Sequence, residues 1–134
     1  MTVYTADLTS LEAWQLLTDE PDARLIDVRT EAELSYVGAP DLTPIDRTVV
    51  RLLWAPPGKD FAARVDHLFD RPDRPLLLLC RSGTRSAAAA TLLSQSGRSR
   101  VYNVVDGFEG PINDDGHRGV TSGWKASGLP WRQT

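Results

Sequence analysis

The chain has 134 residues, of which 41% are hydrophobic and 25% charged, which is typical of one globular domain and too short for two. Fifteen Lys and Arg against eighteen Asp and Glu leave a formal net charge of -3, which argues against nucleic-acid binding through phosphate neutralisation. The single cysteine, Cys80, excludes an intrachain disulfide, and with two histidines it excludes an ordinary structural zinc site. We therefore expect one domain over 1–134 that needs no metal and no cofactor.

No segment of the sequence predicts a membrane span or a secretory signal. The longest uninterrupted apolar run covers only 76–80, far below the ~20 residues needed to cross a bilayer. The first eight residues have neither a basic region nor an apolar core of the kind found in signal peptides. A cytoplasmic, reducing location is the expectation.

The first signals along the chain are two helix starts with a strand between them. Thr9 and Glu12 have the spacing of a capping box. The apolar residues that follow at helical spacing are Leu11, Trp14 and Leu17. Residues 23–29 are apolar and β-branched, which predicts a buried strand. Thr30 and Glu33 repeat the capping-box spacing, so we expect a second helix directly after that strand.

A loop over 37–47, which contains glycine and prolines, leads to the next strand and helix. Residues 48–55 are again β-branched and apolar and predict a strand. Asp60 is placed to cap a third helix. That helix is predicted to bury four apolar side chains, those of Phe61, Val65, Leu68 and Phe69.

The second half of the chain repeats the strand, helix, strand order around the cysteine. Residues 76–79 form an unbroken apolar run, which is typical of a strand covered on both faces. Residues 86–95 predict a helix, and 100–105 predict one more strand. The glycine-rich tail that follows shows only a brief helical signal at 122–127.

Alternation of strands and helices with short connections predicts an α/β fold, in which helices flank a mostly parallel central sheet on both faces. Ligands in such folds bind beyond the carboxyl ends of the strands. Cys80 directly follows the apolar strand over 76–79. The sequence therefore places its only thiol where a ligand site is expected.

Cys80 stands between this strand and a helix start, with a glycine-containing turn in between. Such a position directs backbone N–H groups and the positive end of a helix dipole at the sulfur, and both favour the thiolate. Arg81 and Arg85 add positive charge to the same turn. A lone cysteine is usually a small buried hydrophobe. Because a purely structural cysteine needs neither the arginines nor Gly83, we interpret Cys80 as a nucleophile.

The segment around Cys80 is basic although the chain is acidic. Between residues 74 and 105 there is no Asp or Glu, and there are five arginines: Arg74, Arg81, Arg85, Arg98 and Arg100. With a Debye length of ~8 Å at physiological salt, distant surface carboxylates do little to cancel this charge. The pattern predicts an anionic substrate or reacting group.

Four motifs resemble those of rhodanese-type sulfurtransferases. Cys-Arg-Ser-Gly-Thr-Arg-Ser at 80–86 is similar to their active-site loop, and Leu-Ile-Asp-Val-Arg-Thr-Glu-Ala-Glu at 25–33 is similar to their first strand-helix motif. The stretches 102–110 and 123–131 resemble two further motifs of the family. The resemblance runs from about residue 21 to residue 132, with the motifs in the family's order.

The resemblance implies a rhodanese-like three-layer fold and a sulfur relay. The Cys80 thiolate would take sulfane sulfur from a small anionic donor such as thiosulfate and hold it as a persulfide. A thiophilic acceptor, either cyanide or a cellular thiol, would then remove the sulfur. The site residues implied are Cys80 as nucleophile, then Arg81, Ser82, Gly83, Thr84 and Arg85 around the substrate, with Asp27, Arg29 and Glu33 as structural support. Arg81 is expected to face the donor, and Arg85 to brace the loop or contribute to the field at its rim.

Three alternatives stay open at this stage. A persulfide carrier for one specific sulfur-accepting protein would need the same residues. A non-catalytic binding module is disfavoured, since such modules of the family typically lack the cysteine. A cysteine phosphatase would have Cys-x5-Arg spacing, whereas Cys80 and Arg85 have four residues between them. His117 is expected to be a solvated loop residue, with a place at the mouth of the site as the alternative.

Overall fold

A parallel five-stranded sheet forms the centre of the protein. The computed structural model describes residues 4–133. Residues 1–3 and 134 of the predicted domain, and with them the first part of the N-terminal segment, lie outside the described residues. The strands within this range are β1 (Ala6–Leu8), β2 (Arg24–Asp27), β3 (Ala39–Pro40), β4 (Val50–Arg51), β5 (Leu76–Leu79), β6 (Val101–Val104) and β7 (Trp131–Arg132). The helices are α1 (Ser10–Asp19), α2 (Glu31–Val37), α3 (Phe61–Leu68) and α4 (Thr84–Gln95).

The central sheet has the strand order β1-β6-β5-β2-β4, and every neighbouring pair in it is parallel. β5 occupies the middle, and its four leucines are fully buried, as the unbroken apolar run predicts. A separate antiparallel pair joins β3 to β7. The predicted α/β class with a mostly parallel sheet is confirmed.

Each face of the sheet has its own apolar core, which makes three layers. On one face, side chains of α3 and α4 pack against alternate residues of β2 and β5, among them Val65, Leu93, Ile26 and Leu78. The other face is covered by α1 and the C-terminal segment, including Leu17 and the fully buried Trp124. The predicted flanking of both faces is confirmed. Among the described residues, none of the helices is long and apolar enough to span a bilayer.

Both predicted capping boxes are present. Thr9 and Thr30 each accept the N–H of the glutamate three residues on, at 3.2 Å in both cases. Glu12 and Glu33 accept the backbone N–H of those same threonines, at 2.9 and 3.1 Å. These short-range signals therefore determine where α1 and α2 begin.

Leu68, which the sequence predicts to be buried, is exposed, and so is Leu11, one of the apolar residues at helical spacing in α1. Leu11 is 58% exposed and Leu68 is 51% exposed. The buried face of α1 passes through Ser10, Ala13 and Leu17, so Leu11 lies to its side. In α3, Phe61 and Val65 point inward and Phe69 continues that line just beyond the helix, which turns Leu68 toward solvent.

Several predicted element boundaries need correction. The strand predicted at 48–55 is regular only at Val50–Arg51, because it lies at the sheet edge and has one neighbour, β2. The helix predicted from residue 86 begins at Thr84. Asp60 stands at the start of α3, but its side chain makes no capping hydrogen bond. Residues 122–127 form turns in place of the predicted helix.

The pattern missed the strands outside the main alternation. β1 is only three residues long and pairs with β6 through contacts about a hundred residues apart in sequence, such as Ala6 with Tyr102. β3 and β7 are two residues each and exist only because the C-terminus returns to the loop after α2. Such short strands carry no periodicity of their own, so sequence pattern alone does not reveal them.

Burial in the central sheet predicts a clear contrast between two leucines. Leu78→Ala removes a fully buried side chain of β5 and should lower the free energy of unfolding by about 3 kcal/mol. Leu68→Ala removes an exposed one and should change it by less than about 0.5 kcal/mol. Urea denaturation of both variants checks this, and similar losses in the two would contradict the assigned layers.

Candidate active site

Cys80 lies at the carboxyl end of β5, at the centre of the sheet edge where a parallel fold binds ligands. Its side chain is buried, with a residue exposure of 1%. Residues 81–83 turn sharply, and α4 starts at Thr84. The sulfur therefore lies beneath the first turn of a helix, as the sequence predicts.

Backbone N–H groups from this turn point at the sulfur. The N–H of Gly83 donates to Cys80 Sγ at 3.2 Å, and the N–H of Ser86 donates to it at 3.3 Å. Gly83 is the residue that precedes α4 and has no side chain to satisfy the helix start. Cys80 Sγ thus accepts the Ser86 N–H as a capping oxygen would, which places the sulfur at the positive end of the helix.

Two glycines make the turn possible. Gly83 has φ 96°, and a Cβ there would collide with the carbonyl of Val105. Gly107 has φ 68°, and a Cβ there would collide with the carbonyl of Arg81. The loop after β6 is held against the cysteine turn by the N–H of Phe108, which donates to the Cys80 carbonyl at 2.8 Å. The turn is therefore held by backbone contacts from the neighbouring strand's loop.

Arg85 is engaged by a carboxylate. Its Nη1 and Nη2 donate to the two carboxylate oxygens of Glu33 at 2.6 and 2.8 Å, and both side chains are largely buried. The Arg85 guanidinium holds the pKa of Glu33 at about 2, below its ordinary value of 4.5. Since Glu33 also caps α2, the pair ties the start of α2 to the start of α4. This geometry is that of a loop brace, one of the two roles expected for Arg85.

Asp27 and Arg29 form a fully buried ion pair at the end of β2. Arg29 Nε and Nη2 donate to the two Asp27 oxygens at 2.9 and 2.6 Å. Nη2 also donates to the carbonyl of Gly38 at 2.9 Å, and the guanidinium carbon lies 4.3 Å from the centre of the Phe108 ring. The pair therefore connects β2, the loop after α2 and the loop that holds the cysteine turn.

Most of the basic charge predicted around Cys80 is neutralised in the fold. Arg98 donates to Asp66 at 2.9 Å, and Arg100 pairs with Glu20 at 2.6 Å. Arg100 also directly precedes β6, at the sheet edge opposite Cys80. The expectation of a continuous cationic segment is therefore wrong. Within residues 4–133 Arg81 is exposed and forms no ion pair, which leaves it as the free charge of the cysteine turn.

The remaining candidate residues lie on the surface of the turn or away from it. Ser82 is partly exposed and Thr84 is exposed. His117 is exposed in a separate turn, where its backbone N–H donates to Asn113 Oδ1 at 2.9 Å. Over 4–133, the structure shows no group of three or more His, Cys, Asp or Glu side chains arranged to hold a metal ion.

Comparison with known proteins assigns the family. Residues 6–134 match the family model described as the STR4 middle domain. The chain belongs to this family and is a rhodanese-like protein. Rhodanese-like architecture agrees with the three layers and with the cysteine turn at the end of the central strand.

Three relatives show how far the similarity extends. The crystal structure of Rv0390 from M. tuberculosis superposes with a TM-score of 0.85 at 48% identity, covering 98% of this chain and 99% of that one. An uncharacterized protein, RC0915 of Rickettsia conorii, is 35% identical over 127 residues, which are 94% of this chain and 96% of the relative. The thiosulfate sulfurtransferase GlpE of Actinobacillus succinogenes is 27% identical over 124 residues, covering 92% of this chain and 87% of that one.

Sequence reasoning missed two polar residues of the rhodanese-like site. Ser86 Oγ lies 3.2 Å from Cys80 Sγ, and Asn103, on β6, accepts the Ser86 hydroxyl proton at 2.5 Å. Both side chains are buried, at 0% and 1% exposure. An asparagine inside an otherwise apolar strand is a signal that was available, because a buried amide requires partners.

The Glu33–Arg85 pair predicts a specific pH dependence of stability. Because the pKa of Glu33 falls from 4.5 in its ordinary state to about 2 in the fold, its contribution is fully present above pH ~4.5 and is lost as the pH falls toward 2. Glu33→Gln should cost about 1–2 kcal/mol at pH 7 and make stability less dependent on pH in that window. Urea denaturation from pH 7 to pH 2.5 measures this.

The exposed neighbour Glu31 supplies the control for that measurement. Glu31→Gln should change stability by less than about 0.5 kcal/mol at any pH. Glu20 and Asp41 also have lowered pKa values, since Arg100 and the Thr43 N–H respectively favour their ionised forms. These two carboxyl groups are the same in the wild type and in Glu33→Gln, so they do not affect the comparison of the two curves. Parallel curves for wild type and Glu33→Gln would contradict the stabilising role of the pair.

Proposed function

We propose that the protein is a sulfurtransferase that moves sulfane sulfur from thiosulfate or a similar anion to a thiophilic acceptor through a Cys80 persulfide. The observation that carries the proposal is the sulfur of Cys80 at the start of α4, with the N–H groups of Gly83 and Ser86 donating to it. Two backbone donors aimed at one sulfur are what a negatively charged sulfur requires during the transfer. The similarity to a thiosulfate sulfurtransferase supports the choice of donor.

The reaction divides into two displacements on sulfur. In the first, the Cys80 thiolate attacks the outer sulfur of thiosulfate, the sulfur–sulfur bond of the donor breaks, and sulfite leaves with the electron pair. Cys80 then carries a terminal sulfur with one negative charge. In the second, cyanide or a thiolate attacks that terminal sulfur and the Cys80 thiolate leaves, giving thiocyanate or a new persulfide. Atoms and electrons balance without an added oxidant or reductant.

The turn supplies what both steps need, namely donors for a negative sulfur. Backbone N–H groups of residues 81–85 would cradle the terminal sulfur of the persulfide, as an oxyanion hole holds developing charge. Because the glycine at 83 is fixed by its contact with the loop after β6, the donors are in place before the substrate arrives. Such preorganisation lowers the barrier without reorganisation during the reaction.

Arg81 is the group proposed to receive the donor. It is exposed beside the cysteine, whereas Arg85 is paired with Glu33. An unpaired guanidinium is suited to a sulfonate-like head group, since its N–H groups match two oxygens at once. A single cysteine suffices in this scheme because the attacking group of the second step belongs to another molecule.

The proposal predicts a covalent change on one residue. Thiosulfate should add the mass of one sulfur atom to the wild-type protein, and cyanide should remove it and release thiocyanate. Cys80→Ser should show neither, because serine forms no persulfide, while its unfolding curve should remain close to that of wild type. Intact mass spectrometry and thiocyanate release measure the two steps. Wild-type protein that stays unmodified by thiosulfate but hydrolyses an aryl phosphate would instead show a phosphatase.

The role of Arg81 predicts a loss of substrate capture. Arg81→Ala should lower kcat/KM for thiosulfate about tenfold or more, chiefly through KM, because it removes a charge that binds the donor. Arg71→Ala is the matched control, since Arg71 is exposed, pairs with Asp22 and precedes β5 at the opposite edge of the sheet. The control should keep the wild-type value. Equal kcat/KM in Arg81→Ala and wild type would contradict donor binding by Arg81.

A further inference from the structure

Asn103 is a buried amide that uses both ends of its side chain. It lies on β6, beside β5, and is 1% exposed. Its Nδ2 donates to the carbonyl of Gly83 at 3.2 Å, and its Oδ1 accepts the hydroxyl proton of Ser86 at 2.5 Å. A buried amide satisfied at both ends is held in a single orientation.

A third contact distinguishes the amide oxygen of Asn103 from its amide nitrogen. Nδ2 also donates to Asp7 Oδ1 on β1 at 3.3 Å, and that oxygen accepts the Tyr4 hydroxyl at 2.6 Å. Turning the amide round would bring its oxygen against the carboxylate of Asp7 and the carbonyl of Gly83, both of which are acceptors. The oxygen of Asn103 must therefore face Ser86.

The two residues that Asn103 holds are those whose N–H groups donate to the sulfur. The backbone nitrogens of Gly83 and Ser86 lie 3.2 and 3.3 Å from Cys80 Sγ. The Ser86 hydroxyl donates to Asn103 Oδ1, and its oxygen lies 3.2 Å from the sulfur, a contact in which either atom can be the donor. One side chain on the neighbouring strand thus contacts both residues whose N–H groups donate to the sulfur.

We propose that Asn103 is a positioning residue for Cys80, which acts through Gly83 and Ser86 without touching the sulfur. By fixing the Gly83 carbonyl, it orients the turn whose N–H donates to Sγ. By accepting a hydrogen bond from the Ser86 hydroxyl, it holds the first turn of α4 at the distance where the Ser86 N–H reaches Sγ. This inference deepens the proposed sulfur transfer and rests on it for its catalytic consequence.

The test compares alkylation of Cys80 in variants that lose the hydrogen bonds from Asn103 to Gly83 and Ser86. Asn103→Leu keeps the number and branching of the side-chain heavy atoms and offers no hydrogen bond, so iodoacetamide should alkylate Cys80 about tenfold more slowly at pH 7. The alkylation pH profile should also move to higher pH. Arg85, Glu33 and Asp7, the charged groups of this network, and the exposed Arg81 are unchanged in the variant. For thiosulfate, kcat should fall and KM should stay near the wild-type value.

Val101→Ala separates positioning from packing. Val101 is fully buried on the same strand and belongs to the apolar core. Its loss should lower Tm while leaving the alkylation rate and pH profile at wild-type values. If Val101→Ala slows alkylation as much as Asn103→Leu does, the effect is general loosening of the core and the proposal is wrong.

A second variant keeps the proposal testable if Asn103→Leu does not fold. Asn103→Ala removes the amide with its contacts to Gly83 and Ser86 and leaves the Ser86 oxygen in its place beside the sulfur. Alkylation should slow about tenfold in this variant as well. A wild-type alkylation rate and pH profile in either folded variant would overturn the positioning role.

Alkylation needs no sulfur donor, so the outcome does not depend on the proposed reaction. Slow alkylation in the Asn103 variant, together with a wild-type protein that takes no sulfur from thiosulfate, would support the positioning role of Asn103 and contradict the proposed sulfur transfer. A wild-type protein that forms the persulfide, with an Asn103 variant that reacts as fast as wild type, would do the reverse.

Discussion

The structure of the site depends on one constraint, which is that a sulfur atom takes the place of the missing side-chain cap of α4. Gly83 precedes the helix and offers no acceptor, and the N–H of Ser86 finds Cys80 Sγ instead. A helix start buried without an acceptor is costly. The same contact that completes the helix therefore holds the sulfur at the positive end of the helix dipole, so the fold and the geometry of the site depend on one interaction.

The rest of the fold serves to hold that sulfur in position. β5 brings Cys80 to the middle of the sheet edge, where both layers of helices and loops exclude bulk water. The loop after β6 packs its backbone on the turn, with no room for a Cβ at Gly83 or Gly107. Ion pairs at the ends of β2 and at the start of α2 then link the surrounding loops. Buried pairs of this kind fix geometry more than they add stability.

Local signals in the sequence predicted the parts of this structure that local chemistry determines. Both capping boxes, the buried run of β5 and the position of Cys80 depend on residues within a few positions of one another. The pairing of the arginines with carboxylates does not depend on near neighbours in the sequence. Arg100 meets a carboxylate 80 residues away, Arg85 meets one 52 residues away and Arg98 one 32 residues away. Charge counted along the chain therefore overestimates the unpaired positive charge around the thiol. Two partners of Asn103 lie 17 and 20 residues away, so the sequence shows a polar residue in a strand but not what that residue contacts.

Net charge and cysteine count acquire a different meaning once the fold is known. The acidic excess coexists with a turn where Arg81 has no carboxylate partner among residues 4–133, so the local charge of the turn is positive. A solitary thiol limits the chemistry to steps in which a second molecule supplies the next nucleophile. Sulfur relay meets that limit, whereas a dithiol mechanism within the chain does not.

Sulfur transfer through Cys80 is tested most simply by the intact mass of the protein as purified, without any added donor, before and after treatment with cyanide. A cysteine that holds sulfane sulfur in its cradle should carry one additional sulfur atom on part of the population, located to the peptide that contains Cys80. Cyanide should return that population to the mass of the unmodified chain. A single unmodified mass before cyanide, unchanged after the protein has also been offered thiosulfate and polysulfide, would contradict the account.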